Sequence, residues 1–107
     1  MPLPKITHLQ FLVLASLFGG EQSGRFLRQK LKEYGEGKSG PAFYQMMARL
    51  EDAGLVRGHY AQKIVEGQII KERRYLITGT GNTALRRAYE FYHQGGGAFL
   101  EGGFASA

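Results

Sequence analysis

The chain has 107 residues, no cysteine, 43% hydrophobic and 21% charged residues, and a formal net charge of +5. That is a single domain with one modest core and a globular rather than disordered composition. Without cysteine there is no disulfide framework, thiolate metal site or cysteine nucleophile. The basic balance, with a pI near 9.7, points to an anionic partner, nucleic acid before an acidic membrane surface.

The longest apolar run, Phe11 to Phe18, is far too short to span a bilayer. The start, Met1-Pro2-Leu3-Pro4-Lys5, lacks the pattern of a signal peptide. A cytoplasmic location with no membrane partner is the expectation.

Residues 1–6 read as an extended lead-in, because Pro2 and Pro4 disfavour helix before them. Thr7-His8-Leu9-Gln10 has the spacing of a capping box. The helix it opens, about 8–18, is apolar nearly all round: Leu9, Phe11, Leu12, Val13, Leu14, Leu17 and Phe18. A helix without a polar face is buried on more than one side. One side is expected to meet the chain's own core and the other a second copy of the chain. Gly19-Gly20 ends it.

Ser23 can cap a second helix over about 24–34, with Phe26, Leu27, Leu31 and Tyr34 as its buried stripe. Arg25, Arg28, Gln29 and Lys32 then point outward. A solvated face is the plainer explanation of such a pattern, contact with phosphates the functional one.

After the turn-rich stretch 35–40 comes the segment that organises the chain. The spacing predicts a helix over 41–53, with Ser39, Gly40 and Pro41 at its start and Gly54 at its end. At about 100° per residue, Phe43, Met46, Met47 and Leu50 fall on one side. Pro41, Tyr44, Gln45, Ala48 and Asp52 point the other way, with Arg49 on the flank. One side suits a core. The other, small or planar at its start, suits a DNA major groove.

The pattern then changes to strands. Residues 55–60 and 64–65 lead to Glu66-Gly67, 69–77 runs back, and the whole reads as a hairpin. Alternation puts Ile69, Lys71, Arg73, Tyr75 and Ile77 on one face, with Tyr75 and Ile77 buried and the far end projecting. Lys63, Lys71, Arg73 and Arg74 make the ribbon basic, against Glu66 and Glu72. Thr78 can cap a last helix over about 79–93, although Gly79 and Gly81 each weaken its first turn by roughly 1 kcal/mol relative to alanine. The remainder, 95–107, is glycine-rich and expected to be a flexible tail.

Three helices, a two-stranded β wing and a closing helix make a mainly α (α+β) winged helix–turn–helix domain over 1–94. Two motifs carry a family likeness. FYQMMARLEDAGLV at 43–56, followed by RRYLITGTG at 73–81, resembles the PadR family of transcriptional regulators, its short single-helix branch in particular. Tyr44 takes the family's tyrosine position, Arg49-Leu50-Glu51 its helix end, and Tyr75-Leu76-Ile77-Thr78 its wing exit. Two segments depart from the family. Ser23-Gly24-Arg25-Phe26 keeps only the glycine of a His-Gly-Tyr-like sequence, and Ser39-Gly40-Pro41-Ala42 stands where Pro-Gly-Thr is frequent.

The resemblance implies a homodimer built from the first and last helices and repression of nearby genes. The apolar 8–18 segment independently predicts an interface of Leu9, Phe11 and Leu12 with Leu85, Tyr89 and Tyr92. A small aromatic effector, if one binds, is expected at that seam against Phe11, Phe18, Tyr89 or Tyr92. The competing explanation is that these rings merely pack on one another.

On double-stranded DNA, a roughly palindromic operator for a homodimer, Gln45 can contact adenine and Ala42 or Ala48 a thymine methyl. Lys38, Ser39 and Tyr44 would bond phosphates, Pro41 belongs to the same DNA-facing set, and Arg49 would serve either role. Arg25, Arg28, Lys63, Lys71, Arg73 and Arg74 would grip the flanking backbone. The alternative is a winged-helix protein-interaction module, which an acidic face would favour and this basic chain does not. An enzyme is not expected, and no catalytic residue, metal ligand or cofactor is assigned. His8, His59 and His93 are far apart, Ser23, Ser39 and Ser106 lack His–Asp partners, and GTGNT at 79–83 only superficially resembles a phosphate loop.

Overall fold

A computed structural model describes residues 5–95. Most of the expected lead-in (1–4) and tail (96–107) lies outside the described residues. Thr7 and Gln10 close the capping box: the Thr7 hydroxyl accepts the Gln10 N–H at 3.1 Å and the Gln10 side chain accepts the Thr7 N–H at 2.9 Å. Helix α1 (His8–Leu17) follows. Val13, Leu14 and Leu17 are fully buried, Leu9, Phe11 and Leu12 pack half-buried against the same core, and Phe18 is 72% exposed.

A two-residue strand, β1 (Gln22–Ser23), leads into α2 (Gly24–Glu33), whose first free N–H, from Phe26, is taken by the Ser23 hydroxyl at 3.0 Å. Only Leu27 and Leu31 of the expected stripe are buried. Phe26 and Tyr34 are 36% and 63% exposed, which corrects the sequence-based expectation. The reasons are geometric. Phe26 lies about 100° round the helix from Leu27 and lies under the Lys30 ammonium, 5.5 Å from its ring centre. Tyr34 is the residue at which the helix already ends.

Ser39 caps α3 (Gly40–Asp52), accepting the Ala42 N–H at 3.3 Å. Phe43, Met47 and Leu50 enter the core and Met46 packs beside them. Strands β2 (Val56–Val65) and β3 (Gln68–Ile77) then pair along their whole length, from Val56 opposite Ile77 to Val65 opposite Gln68. Glu66 and Gly67 both have positive φ (52° and 79°), which matches the twist of a two-residue hairpin turn. At the base of the hairpin Leu55, Val56 and Tyr75 are buried, whereas Ile77 is only half-buried. The wing is not simply two-stranded. β1 pairs with the outer edge of β3 (Gln22 opposite Tyr75, Ser23 opposite Arg74), giving a sheet of order β1-β3-β2.

Thr78 holds the wing's exit, donating its hydroxyl to the Gly54 carbonyl at 2.6 Å and accepting the Gly81 N–H at 2.9 Å. Helix α4 (Gly79–Glu90) starts there. A Cβ on Gly81 would run into the Leu55 carbonyl. The glycine that costs helix propensity is thus what seats α4 against the start of the wing. Regular α-helix stops at Glu90, short of the expected 93, and a π-helical turn covers Phe91–Gly95.

Candidate nucleic-acid interface

The face of α3 turned away from the core is open: Pro41, Ala42, Gln45, Ala48, Arg49 and Asp52 are all exposed. Tyr44 is 40% exposed, its ring edge-on to Phe43 with centroids 5.0 Å apart. Its position depends on a glycine at the start of α2, because a Cβ on Gly24 would come within 2.9 Å of the Tyr44 hydroxyl. Gly24 is the residue of that segment that matches the family pattern, and the close approach supplies a physical reason for it. The Ser39 hydroxyl is occupied as an acceptor but keeps its proton to donate to a phosphate.

Beside the N-terminus of α3, Arg25, Arg28, Gln29, Lys32, Gly37 and Lys38 line a basic cleft of about 440 Å³. The Arg28 guanidinium reaches within 3.6 Å of where a Gly40 Cβ would be. α2 therefore brings its cations to the first turn of α3, where the free amide ends of a helix already favour an anion. None of Arg25, Arg28, Lys32 and Lys38 has a carboxylate partner among the described residues. Lys32 belongs with this group, although the sequence placed it only on an outward face.

The wing flanks α3 on the other side, and the four cations that the sequence assigned to DNA there divide between two faces. Residues opposite one another in an antiparallel pair share a face, so Gly58, Tyr60, Gln62 and Ile64 lie with Tyr75, Arg73, Lys71 and Ile69. This face meets α3 across a cleft of about 450 Å³ lined by Tyr44, Ala48, Glu51, Tyr60, Lys71 and Arg73. Lys63 and Arg74 lie on the reverse face and are not brought to α3.

Arg73 is half-buried between the wing and α3. Its guanidinium donates to Glu51 Oε1 at 2.7 Å and stacks 4.8 Å from the Tyr60 ring centre and 5.4 Å from that of Tyr75. Burial works to lower its pKa, but the Tyr75 hydroxyl and the Glu51 carboxylate outweigh burial and raise it. The space is tight: a Cβ on Gly58 would overlap the Glu51 carboxylate and the Arg73 guanidinium. The two motifs that carry the family likeness, Arg49-Leu50-Glu51 and Arg73-Arg74-Tyr75, thus meet at a salt bridge joining α3 to the wing.

Arg74 is likewise engaged, bonded to Glu21 Oε2 at 3.0 Å and Glu72 Oε1 at 2.7 Å. Glu72 also lies 3.7 Å from Lys63, and Glu21 hydrogen-bonds His59 Nε2. The His59 hydrogen bond first, and Arg74 next, hold the Glu21 carboxyl below the usual carboxylate range. Sequence reasoning gave Glu21, Glu51, His59 and Tyr60 no such role. Among the described residues no three His, Asp or Glu side chains gather as a metal site, and no helix is long and apolar enough to cross a membrane.

The third face, where α1 packs on α4, opens a largely apolar groove of about 700 Å³ lined by Phe11, Ala15, Phe18, Leu85, Arg86 and Tyr89. The expected dimer residues are unevenly placed there. Leu85 is 8% exposed and belongs to the chain's own core, so it has little surface left for a partner, whereas Leu9 and Leu12 pack half-buried against that core. Tyr89 and Tyr92 are 52% and 48% exposed, with Tyr92 edge-on to Phe11 at 5.9 Å.

A capped helix presenting an open face, a basic helix behind its N-terminus and a β-ribbon beside it define a winged helix–turn–helix protein. No family model and no curated protein matches the sequence. Solved structures do. A PadR-family transcriptional regulator from Eggerthella lenta is 27% identical over 87% of this chain and 81% of its own, with a TM-score of 0.64. A PadR-like transcription factor from Bacteroides fragilis gives 0.69 at 18% identity, over 87% of each chain. PadR of Bacillus subtilis, solved in complex with operator DNA, gives 0.63 at 23% identity over 76% of this chain; the present chain spans less than half (46%) of that protein. The fold is a PadR-like winged helix.

Proposed function

We propose that the protein is a sequence-specific DNA-binding transcription regulator, a repressor acting as a homodimer. One observation carries this: the open face of α3 is bordered on one side by four cations from α2 and the following loop with no carboxylate partner among the described residues, and on the other by the wing's Lys71. Gln45 reads a base edge, Ala42 and Ala48 contact thymine methyls, and Tyr44 and Ser39 bond phosphates. Arg25, Arg28, Lys32, Lys38 and Lys71 supply counter-charge. Arg73 is committed to Glu51, and Arg74 to Glu21 and Glu72, so they act by holding the wing rather than as phosphate contacts. That the similar Bacillus subtilis PadR was solved in complex with operator DNA supports the DNA-binding reading. The groove between α1 and α4 is the proposed dimer seam, and a planar aromatic effector would enter there against Phe11, Phe18 and Tyr89.

Selection from random duplexes with the full chain, followed by mobility shift at low and moderate salt, tests the reading. The expected result is a recovered motif bound at least ~1,000-fold more tightly than bulk DNA. Recovery of no motif, with no retardation even at low salt, would overturn it. Thermal-shift screening of planar aromatics tests the effector, with stabilisation lost in Tyr89→Ala as the expected outcome.

A further inference from the structure

The α3-facing side of the wing ends in a feature that charge does not explain. Ile64 and Ile69 lie directly opposite each other near the hairpin turn and are 74% and 68% exposed. Isoleucines on a solvated hairpin gain nothing from burial there, and an exposed apolar pair on a strand end is a liability. The pair continues the face that lines the cleft beside α3, with Gln62 opposite Lys71 as the next step inward and Tyr60 opposite Arg73 after that. On the reverse face Lys63 lies one step from the pair. Two lysines thus flank the aliphatic tip, and Glu66 sits beyond it in the turn.

We propose that Ile64 and Ile69 form an apolar wedge that enters the DNA minor groove next to the major groove occupied by α3. This rests on the regulator reading above. The reach fits. Ile69 lies six residue steps from Tyr75 along β3, a span of about 20 Å at ~3.3 Å per residue. Adjacent major and minor grooves are offset by about half of a ~34 Å helical turn, or ~17 Å. Lys71 then stands where a phosphate lines the groove edge. Aliphatic side chains pushed between base steps unstack and kink the duplex, most easily at flexible pyrimidine–purine steps. The wedge therefore adds a preference for such a step at a position α3 does not touch. A second copy of the chain is a poor occupant, because two isoleucines offer far less than the roughly 1,200 Å² buried in a stable protein interface.

The test uses the full chain and a duplex recovered by the selection above, with 2-aminopurine placed in turn at each step flanking the α3 footprint. Wild type is expected to raise the fluorescence at a step about half a turn away. The variant Ile64→Thr/Ile69→Thr keeps β-branched side chains at exposed positions, and its melting curve checks the fold. It is expected to bind ~10-fold more weakly, with the fluorescence rise abolished and the α3 footprint unchanged. Equal affinity and an equal rise in the variant would overturn the wedge and leave the regulator reading standing. Failure of wild type to bind any duplex would overturn both.

Discussion

Removing the Arg73 guanidinium leaves the Glu51 carboxylate without its partner and the Tyr60 and Tyr75 rings without their cation. Both side chains are about a quarter exposed (25% and 28%), which places their charge-assisted bond above a surface pair but below a buried one. A double-mutant cycle of Glu51→Gln and Arg73→Met should therefore show coupling of about 1 kcal/mol by denaturant unfolding, and additivity would show that the contact does not bind α3 to the wing. Gly58→Ala should cost about 1–3 kcal/mol, because its methyl must displace that same pair. None of this was legible locally. Arg73 and Arg74 read as cations on a basic ribbon because their partners Glu51 and Glu21 lie 22 and 53 residues away. Alternation did place Arg73 with Tyr75, but pattern carries no information about which helix a strand face will meet. The tight fit at Gly24 was equally hidden, visible only as a glycine shared with the family.

Every helix announced its start through a side chain whose hydroxyl accepts a backbone N–H: Thr7, Ser23, Ser39 and Thr78. The hairpin was legible for a similar reason, since Glu66-Gly67 interrupts two β-rich runs. β1 was not, because two residues have no period, and its pairing is fixed by tertiary contact. That small strand places Glu21 beside His59 and Arg74, which lends the sheet a pH dependence. The Glu21 pKa is lowered in the folded chain. Its contribution to stability is thus complete above the ordinary carboxylate value and lost as pH falls through the depressed one. Glu21→Gln should remove this part of the acid limb in thermal melts between neutral pH and about pH 3, leaving a flatter profile than wild type. An unchanged profile would show that Glu21 is not held. The α1–α4 seam makes a second prediction for elements. Phe18, at 72% exposure, has the most uncovered apolar surface of the groove, and Tyr89 lies across it. Phe18→Ser/Tyr89→Ser is expected to shift light scattering from dimer to monomer at micromolar concentration. Leu85→Ala should instead lower the melting temperature, since Leu85 belongs to the chain's own core.

For the whole molecule, the decisive quantity is how affinity responds to salt and to sequence when different parts of one surface are removed. A homodimer related by a two-fold presents two α3 helices, so its operator should be roughly palindromic, with half-sites about 10–10.5 base pairs apart or a multiple of that. Gln45 is exposed on the open face of α3. Gln45→Ala should relax preference at one base pair per half-site, at a cost of about 1–3 kcal/mol, with the salt slope unchanged. Arg28 has no carboxylate partner among the described residues and stands beside the first turn of α3. Arg28→Ala should weaken all sequences alike and reduce the slope of log K against log salt by about 1 per protomer, because one fewer counterion is released. Arg73→Met separates this account from one in which every wing cation grips phosphate. Its guanidinium is already committed to Glu51, so its loss should lower stability and affinity together while leaving the salt slope near that of wild type. A slope reduced as much as in Arg28→Ala would place Arg73 on the DNA backbone and return the ion pair with Glu51 to a feature of the free protein alone.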